Sequence, residues 1–495
     1  MDKYILSIDQ GTTSCRAMLY DRNGQLCYSK SKEFKQIYPK PGWVEHDPME
    51  IWETQLYVIK SLLKEHDIPA KSIATIGISN QRETVVIWEK ASGQAIGNAI
   101  VWQCRRTAPI CEDLKERGLE KEIYDKTGLV IDPYFSASKL KWILDKDPGL
   151  RDRAKRGELL AGTIDSWLIW QMTRGKAHVT DYTNASRTML FNIKDLCWDD
   201  DLIELFDIPK AILPEIRPSV GHFGYLDPMF LGQEIPICGV AGDQQAALFG
   251  QACFNSGDVK NTYGTGCFVL MNTGNKLVKS NHKLLSTIAW GIGGEVEYAL
   301  EGSIFVGGAA IQWLRDELGI LENAAESERA AESVSDTQGL YMVPAFTGLG
   351  APHWDMYAKG ALFGITRGVN FKHIIRATLE SIAYQSHDLM SLMEQDSGIK
   401  LNVLKVDGGA SANNFLMQFQ ADLLKLNIKR PANIETTSQG VAFMSGLEIG
   451  YWQDKADIEE NWLCGRSFTP KMEEKDRVEK LAGWDRAVKS CMTFR

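Results

Sequence analysis

The sequence predicts an α/β chain built as two similar halves that face each other across a cleft. Three observations predict it. The N-terminus reads as a strand meander carrying a Gly-Thr turn, DQGTTS (residues 9–14). A second Gly-Thr turn, inside DVKNTYGTGCFVLMNTGN (258–275), again lies between two β-rich runs. Later apolar strands end in Asp and Gly immediately before a helix. The 495 residues and 44% hydrophobic content suffice for two or three domains with buried cores. The boundary is set near residue 250, giving halves of 1–250 and 251–495 with no disordered linker between them.

In chain order, YILSI is a strand, DQGTTS a turn, RAMLYD a second strand, DRNG a turn and QLCYSKS a third strand. Asp47, Pro48 and Glu50 then have the form of an N-cap, a first-turn proline and an acid at the third position. Met49, Ile51, Trp52, Leu56, Ile59 and Leu63 follow at helical spacing. Strand runs return at 73–80, 84–89 and 95–102. Within them, IGISNQRETVVIW (76–88) sets Asn80, Gln81, Arg82 and Glu83 between two apolar runs, which on this window alone also fits a hairpin tip or a local ion pair. After the restart at 258, helices are expected at about 307–318 and 373–395, and the strand VLKVD (403–407) runs through GGASANN into another helix. As sequence the repeat is weak. As structure it would place a phosphate-sized turn on each wall of a cleft.

A net charge of -9 argues against a general nucleic-acid or anionic-membrane binder, so the expected partner is a small molecule. Ten cysteines without a C-x-x-C pair, and an N-terminus that runs from MDKY straight into a strand, point to a reducing cytoplasm. No apolar run approaches the roughly 20 residues that span a bilayer. The eight histidines lack the paired spacing of a zinc site.

Three turns are suited to phosphate. In ILSIDQGTTS a strand delivers Asp9 to its end, near bound Mg²⁺, while Gly11, Thr12 and Thr13 offer N–H groups and hydroxyls with Arg16 close behind. In VLKVDGGASANN, Asp407 precedes two glycines, and a helix opening near Asn413 presents its dipole to an anion. YGTG (263–266) is the third. Each alone is an ordinary turn. None has the P-loop spacing or belongs to the protein-kinase signature set, so a nucleotide would be held between two halves. The remaining requirement is a base: in GVAGDQQAALFG, Asp243 ends an apolar strand and precedes a small-residue helix, where it could accept a proton from a substrate hydroxyl or simply cap the helix.

DQGTTS, NQRET, IVWQCRR, DPYFSASKLKWIL, DYTNASRTMLFN, AGDQQAALFGQ, NTYGTGCF, EGSIFVGGAAIQWLRD, PAFTGLGAPHWD and VDGGASANNFLMQFQ together resemble the FGGY carbohydrate kinase family, its glycerol-phosphorylating branch in particular, over nearly the whole chain. The resemblance implies two actin-like (ribonuclease H-like) domains that transfer the γ-phosphoryl group of ATP to glycerol with Mg²⁺, giving glycerol 3-phosphate and ADP. It implies that Arg82, Glu83, Tyr134 and Asp243 hold the glycerol hydroxyls, with Gln244 beside them, that Asp243 is the base, and that Trp102 and Phe268 flank the carbon backbone. Thr12, Thr13, Ser14, Arg16, Thr265 and Gly308 would line the phosphates, Gln312, Gly409 and Asn413 would approach the nucleoside, and Asp9 with Asp243 would serve the metal. A homo-oligomer, dimer or tetramer, is expected. Glycerol carries three hydroxyls and no charge, so an adjacent donor and acceptor such as Arg82 and Glu83 suit it, provided the strand breaks at NQRE so that both face one ligand.

The chain departs from the family pattern where relatives are regulated. Glu234 stands where an arginine would hold fructose 1,6-bisphosphate, and Met229 where others carry a phosphorylatable histidine; PKMEEKDRV (470–478) does not match the helix that binds a phosphotransferase protein. TTSQGVAF carries Ser438 and Gln439 where the family usually has other residues, which is expected to alter packing near the nucleotide. Two other readings stand beside glycerol phosphorylation: a kinase for another polyol or ketose, and a non-catalytic ATP-binding module of the same fold.

Overall fold

Ile5 to Gln10 are all buried, as are Ile76 to Asn80. A strand apolar on both faces belongs in the middle of a sheet with helices on either side. The computed structural model, which describes residues 3–351 and 353–493, places them there. Met1, Asp2 and Pro352 of the PAFTGLGAPHWD segment lie outside the described residues.

The N-terminal half carries a six-stranded sheet. From edge to edge its order is Val220–Leu226, Ile235–Gly242, Ile73–Asn80, Tyr4–Gln10, Ser14–Tyr20 and Leu26–Glu33. The last three form the antiparallel meander expected from the first residues, Ile73–Asn80 and Ile235–Gly242 run parallel to the first strand, and Val220–Leu226 closes the edge antiparallel. The C-terminal half repeats this grammar. Asp258–Tyr263, Cys267–Gly274 and Glu295–Ile304 form the meander, Val403–Asp407 and Ile428–Pro431 add in parallel, and Cys464–Phe468 closes antiparallel; Leu285–Ile292 extends the opposite edge. Each sheet buries its own apolar core, one around Leu6, Ile76, Trp167 and Val240, the other around Val259, Val269, Tyr384 and Leu404.

Asp47 caps the helix Pro48–Glu65 by accepting from the Met49 and Glu50 N–H groups at 2.8 and 3.3 Å. Glu50 does not reach back to complete a capping box; its carboxylate accepts from Lys35 N–H at 3.0 Å. The run expected at 95–102 shortens to Ala99–Ile100, which pair antiparallel with Glu45–His46 and Val85, while Ala95 makes only an isolated antiparallel bridge to Trp88 and the chain turns at Val101–Cys104. The helices expected at 307–318 and 373–395 are Gly308–Asp316 and Phe371–Ser397.

Two small-residue helices join the halves. Asp243–Gly250 leaves the first sheet, and Thr436–Glu448, from the C-terminal segment, packs across the strands Tyr4–Gln10, Ile73–Asn80 and Ile235–Gly242. They cross so closely that a Cβ at Gly440 would collide with the Ala246 carbonyl, and one at Gly250 with the Thr436 carbonyl. Ser438 and Gln439 sit on this junction. Ser438 C=O accepts from Ser7 Oγ at 2.7 Å, its hydroxyl lies 2.5 Å from Tyr20 Oη, and Gln439 Nε2 donates to Gly24 C=O at 3.0 Å. Among the described residues no helix is long and apolar enough to cross a membrane.

Candidate active site

The strand Ile73–Asn80 stops at Asn80 and Val85–Glu89 begins in a different, four-stranded sheet, so Gln81 to Thr84 bridge two sheets. This is the expected break at NQRE. Glu83 adopts φ +61°, and Thr84 N–H donates to Arg82 C=O at 2.8 Å, closing a three-residue turn of the rarer, left-handed kind. Ser136 Oγ pins the Glu83 carbonyl at 3.1 Å. The turn cancels the alternation of a strand, and Arg82 and Glu83 enter one buried cluster with Arg82 Nε 3.9 Å from Glu83 Oε1.

Arg82 is the hub of that cluster. Its Nη1 and Nη2 donate to the two oxygens of Glu301 at 2.6 and 2.9 Å, Nη1 also to Gln245 Oε1 at 3.2 Å, and Nη2 to Tyr134 Oη at 3.4 Å. Its Nε lies 3.2 Å from Asp243 Oδ1. The arginine stem passes over Gly242, where a Cβ would fall 2.6 Å from Arg82 Cγ; any larger residue would displace the guanidinium. Arg187 completes the set, donating from Nε to Glu83 Oε1 at 2.6 Å and from Nη2 to Glu301 Oε1 at 3.0 Å. Burial works against the Glu301 charge, but Arg187 and Arg82 outweigh it and hold the carboxyl at about 2.

Asp243 opens the helix that follows Ile235–Gly242. It does not cap that helix, because Oδ1 accepts from the adjacent Gln244 N–H at 2.8 Å and Oδ2 from Gln244 Nε2 at 3.1 Å, leaving the side chain 34% exposed beside fully buried neighbours. Lys260 Nζ, itself pushed down by burial, donates to Gln244 Oε1 at 2.5 Å and Thr262 Oγ1 at 2.8 Å. At the end of Tyr4–Gln10, burial raises the Asp9 carboxyl to about 7, opposed by Arg16 and reinforced by Asp243 and Glu435. Asp9 is a buried carboxyl whose charge burial and the nearby Asp243 disfavour, and a divalent cation beside it would offset that. Mg²⁺ needs only one or two carboxylates when water and phosphate oxygens complete its shell, so Asp9 and Asp243 fit it.

Trp102 links this cluster to the first phosphate turn: its Nε1 donates to Thr12 Oγ1 at 3.0 Å, and its ring meets Tyr134 edge-on at 5.5 Å. Gly11 N–H donates to Ser14 C=O at 2.9 Å, closing the turn and leaving Thr13 exposed at its tip. On the other half, Gly308 N–H donates to Gly264 C=O at 2.9 Å while Gly307 and Ala309 N–H groups donate to Thr265 C=O at 2.8 and 3.1 Å. The second Gly-Thr turn is thereby fastened to the N-terminus of the helix Gly308–Asp316, on which Gln312 is exposed. Gly409 is exposed after Val403–Asp407, and Asn413 caps the next helix by accepting from Leu416 N–H at 2.9 Å. Phe268 is half-buried on Cys267–Gly274, opposite Thr262. Gln312, Gly409, Asn413 and Phe268 therefore stay on the C-terminal side, outside the Arg82 network. Arg16, expected on a phosphate, pairs with Glu435 at 2.9 Å in this structure.

Three members of the site were not singled out in the sequence: Glu301, Arg187 and Lys139. Lys139 is fully buried and donates to the carbonyls of Pro133, Tyr134 and Phe135 at 2.7, 2.5 and 3.0 Å, gripping the turn that carries Tyr134. All three lie in segments already marked, EGSIF, DYTNASR and DPYFSASK, but only Lys139, a lone charge among small and apolar residues, carried a local signal.

Comparison with known proteins gives the family and agrees with the fold. The N-terminal domain model of the FGGY family of carbohydrate kinases matches residues 4–250 and its C-terminal domain model residues 259–448. Glycerol kinases of Caldanaerobacter subterraneus subsp. tengcongensis and a Thermoanaerobacter species are 62% and 60% identical over 100% of this chain and 99% of theirs. The crystal structure of Plasmodium falciparum glycerol kinase with ADP superposes with a TM-score of 0.94 at 36% identity, covering 99% of this chain and 98% of that one. A ligand-bound xylulose kinase from Lactobacillus acidophilus shares the fold, with a TM-score of 0.89 at 24% identity over 99% of each chain. With both domain models matched in order and relatives aligned end to end, this chain belongs to the FGGY family of carbohydrate kinases.

Proposed function

We propose that the chain transfers the γ-phosphoryl group of ATP to glycerol, giving glycerol 3-phosphate and ADP, with Asp243 as the general base. The carrying observation is the Asp243 carboxylate. It is the exposed acid of an otherwise buried cluster, 3.2 Å from Arg82 Nε, and it lies close enough to Asp9 to raise that group. A hydroxyl bound by Arg82, Glu83 and Tyr134 would lie within proton reach of it, and taking that proton as the O–P bond forms makes the alcohol an adequate nucleophile. Asp9 and Asp243 would hold Mg²⁺, which would supply charge neutralisation at the phosphates.

The N-terminal half, 1–250, supplies the glycerol grip and the C-terminal half, 251–495, the nucleotide seat. Support comes from where the residues sit: Arg82, Glu83, Trp102, Tyr134, Asp243 and Gln244 on one side, Thr265, Gly308, Gln312, Gly409 and Asn413 on the other. Thr12, Thr13, Ser14 and Arg16 meet the phosphates from the first half. Ten unpaired cysteines support action in a reducing cytoplasm; a homo-oligomer of two or four copies is what the family resemblance implies.

An assay of ADP release across a panel of glycerol, other polyols and pentuloses tests the substrate, and preference for a pentulose would overturn it. Asp243→Asn should lower kcat by about 10²-fold to 10⁴-fold with the ATP affinity kept, the loss expected for a general base. Full turnover by that variant would rule Asp243 out.

A further inference from the structure

We propose that Glu301 is a positioning residue for the phosphoryl acceptor: reaching across from the C-terminal sheet, it orients Arg82 for glycerol. The inference rests on the glycerol reading above and goes beyond it by adding a residue from the opposite half that touches no substrate.

Arg82, Glu301, Arg187 and Glu83 form a ring of alternating charge. Arg82 forks onto Glu301 at 2.6 and 2.9 Å, Glu301 accepts from Arg187 at 3.0 Å, Arg187 donates to Glu83 at 2.6 Å, and Glu83 returns to within 3.9 Å of Arg82. All four side chains are at most 2% exposed. A two-point contact between a planar guanidinium and a carboxylate fixes rotation as well as distance, which a single hydrogen bond does not. With both Nη atoms committed to Glu301, Nε is left directed at Asp243, 3.2 Å away. The plane of Arg82, and hence which of its edges faces the open side of Asp243, is therefore set by Glu301.

The ring is built from both halves. Arg82 and Glu83 follow a strand of the first sheet, and Arg187 follows the short helix Tyr182–Ala185. Glu301 alone comes from the second sheet, in the middle of Glu295–Ile304, opposite Leu270. Its partner Arg82 is 219 positions away in sequence. Binding glycerol through an arginine that the other half orients makes the acceptor grip depend on the two halves being together.

The test is steady-state kinetics of the full-length enzyme. Glu301→Gln should raise the KM for glycerol by about tenfold to a hundredfold, the range for losing a hydrogen bond to a charged group, while the KM for ATP moves by less than about twofold. A residue that merely stabilised the fold would move both or neither. Because Glu301→Gln leaves two buried arginines facing one carboxylate, the double variant Glu301→Gln/Arg187→Gln, which removes one charge of each sign, is measured beside it and should keep the glycerol defect. In an Arg82→Lys background, Glu301→Gln should add little, because its effect passes through the guanidinium fork. Parental KM for glycerol in the double variant, or full additivity with Arg82→Lys, would overturn the proposal. Absence of glycerol-dependent ADP release in the parent enzyme would instead strike the substrate reading itself.

Discussion

At the residue scale, Lys139 shows how one buried charge can be read by pH. Burial lowers its ammonium from 10.5 to about 8, despite Glu83 nearby and the three carbonyls it serves. Between these two values the unfolded chain binds a proton that the folded chain does not, so the Lys139 contribution makes stability rise with pH across that window and leaves it flat below. Denaturation at pH 7 to 10 should therefore show a positive slope in the parent that Lys139→Met removes, and an unchanged slope would refute the assignment. The same variant frees the Tyr134 turn and should cost about 2 kcal/mol, the lower end for a lost charged hydrogen-bond set. Arg82, Glu83 and Asp243 stood out in the sequence because charge interrupted an apolar run or ended one, although it was the family resemblance that assigned them roles. Glu301 was not, because in EYALEGSI it looks like the polar member of an alternating strand, and the arginines that give it meaning lie 114 and 219 positions away. Arg187 was hidden because its partners Glu83 and Glu301 lie 104 and 114 positions away, and the Arg16–Glu435 pair joins residues from opposite ends of the chain.

Elements were easier where their causes are local. The Asp47 cap with Pro48, the Gly-Thr hairpins and the strand-to-helix step at Gly242–Asp243 each follow from residues within one turn of one another. The fate of 95–102 depended on which residues of other segments would pair with it, and only Ala99–Ile100 pair continuously enough to form a strand, Ala95 making a single bridge to Trp88. The role of Thr436–Glu448 was likewise invisible, since TTSQGVAFMSG reads as any small-residue helix until the partner that demands small residues is known. That partner is Asp243–Gly250. Putting a methyl group at position 440 drives it into the Ala246 carbonyl and within 2.9 Å of Gly250 N, where backbone cannot yield as a side chain would. Gly440→Ala is expected to lose about 3 kcal/mol or more, seen as a lower midpoint in chemical denaturation, whereas Gly409→Ala, with open space around it, should be near neutral for folding. A parental midpoint for Gly440→Ala would mean that the helices are further apart than described.

At the scale of the whole molecule, two sheets of the same strand grammar face a shared site, and this was anticipated from a pair of hairpins alone. A meander is written in consecutive residues, so its recurrence at 258 could be recognised even where the letters differ. What no local pattern could convey is how the halves are stitched, by Glu301 on Arg82, Lys260 on Gln244 and Ser7 on Ser438. A site divided in this way is expected to close on its ligands and exclude water that would compete for the phosphoryl group. Small-angle scattering should show a smaller radius of gyration with saturating glycerol and a non-hydrolysable ATP analogue than without, and superimposable curves would count against closure. The helix crossing at Gly440 also has a mechanical meaning. Main chain resting on main chain at Gly440 and Gly250 would act as a fulcrum, and a slight roll there would become a longer sweep at the outer strands Leu26–Glu33 and Cys464–Phe468. Those rims carry the exposed thiols of Cys27 and Cys464, where a pair of fluorescent dyes would turn the sweep into an optical signal.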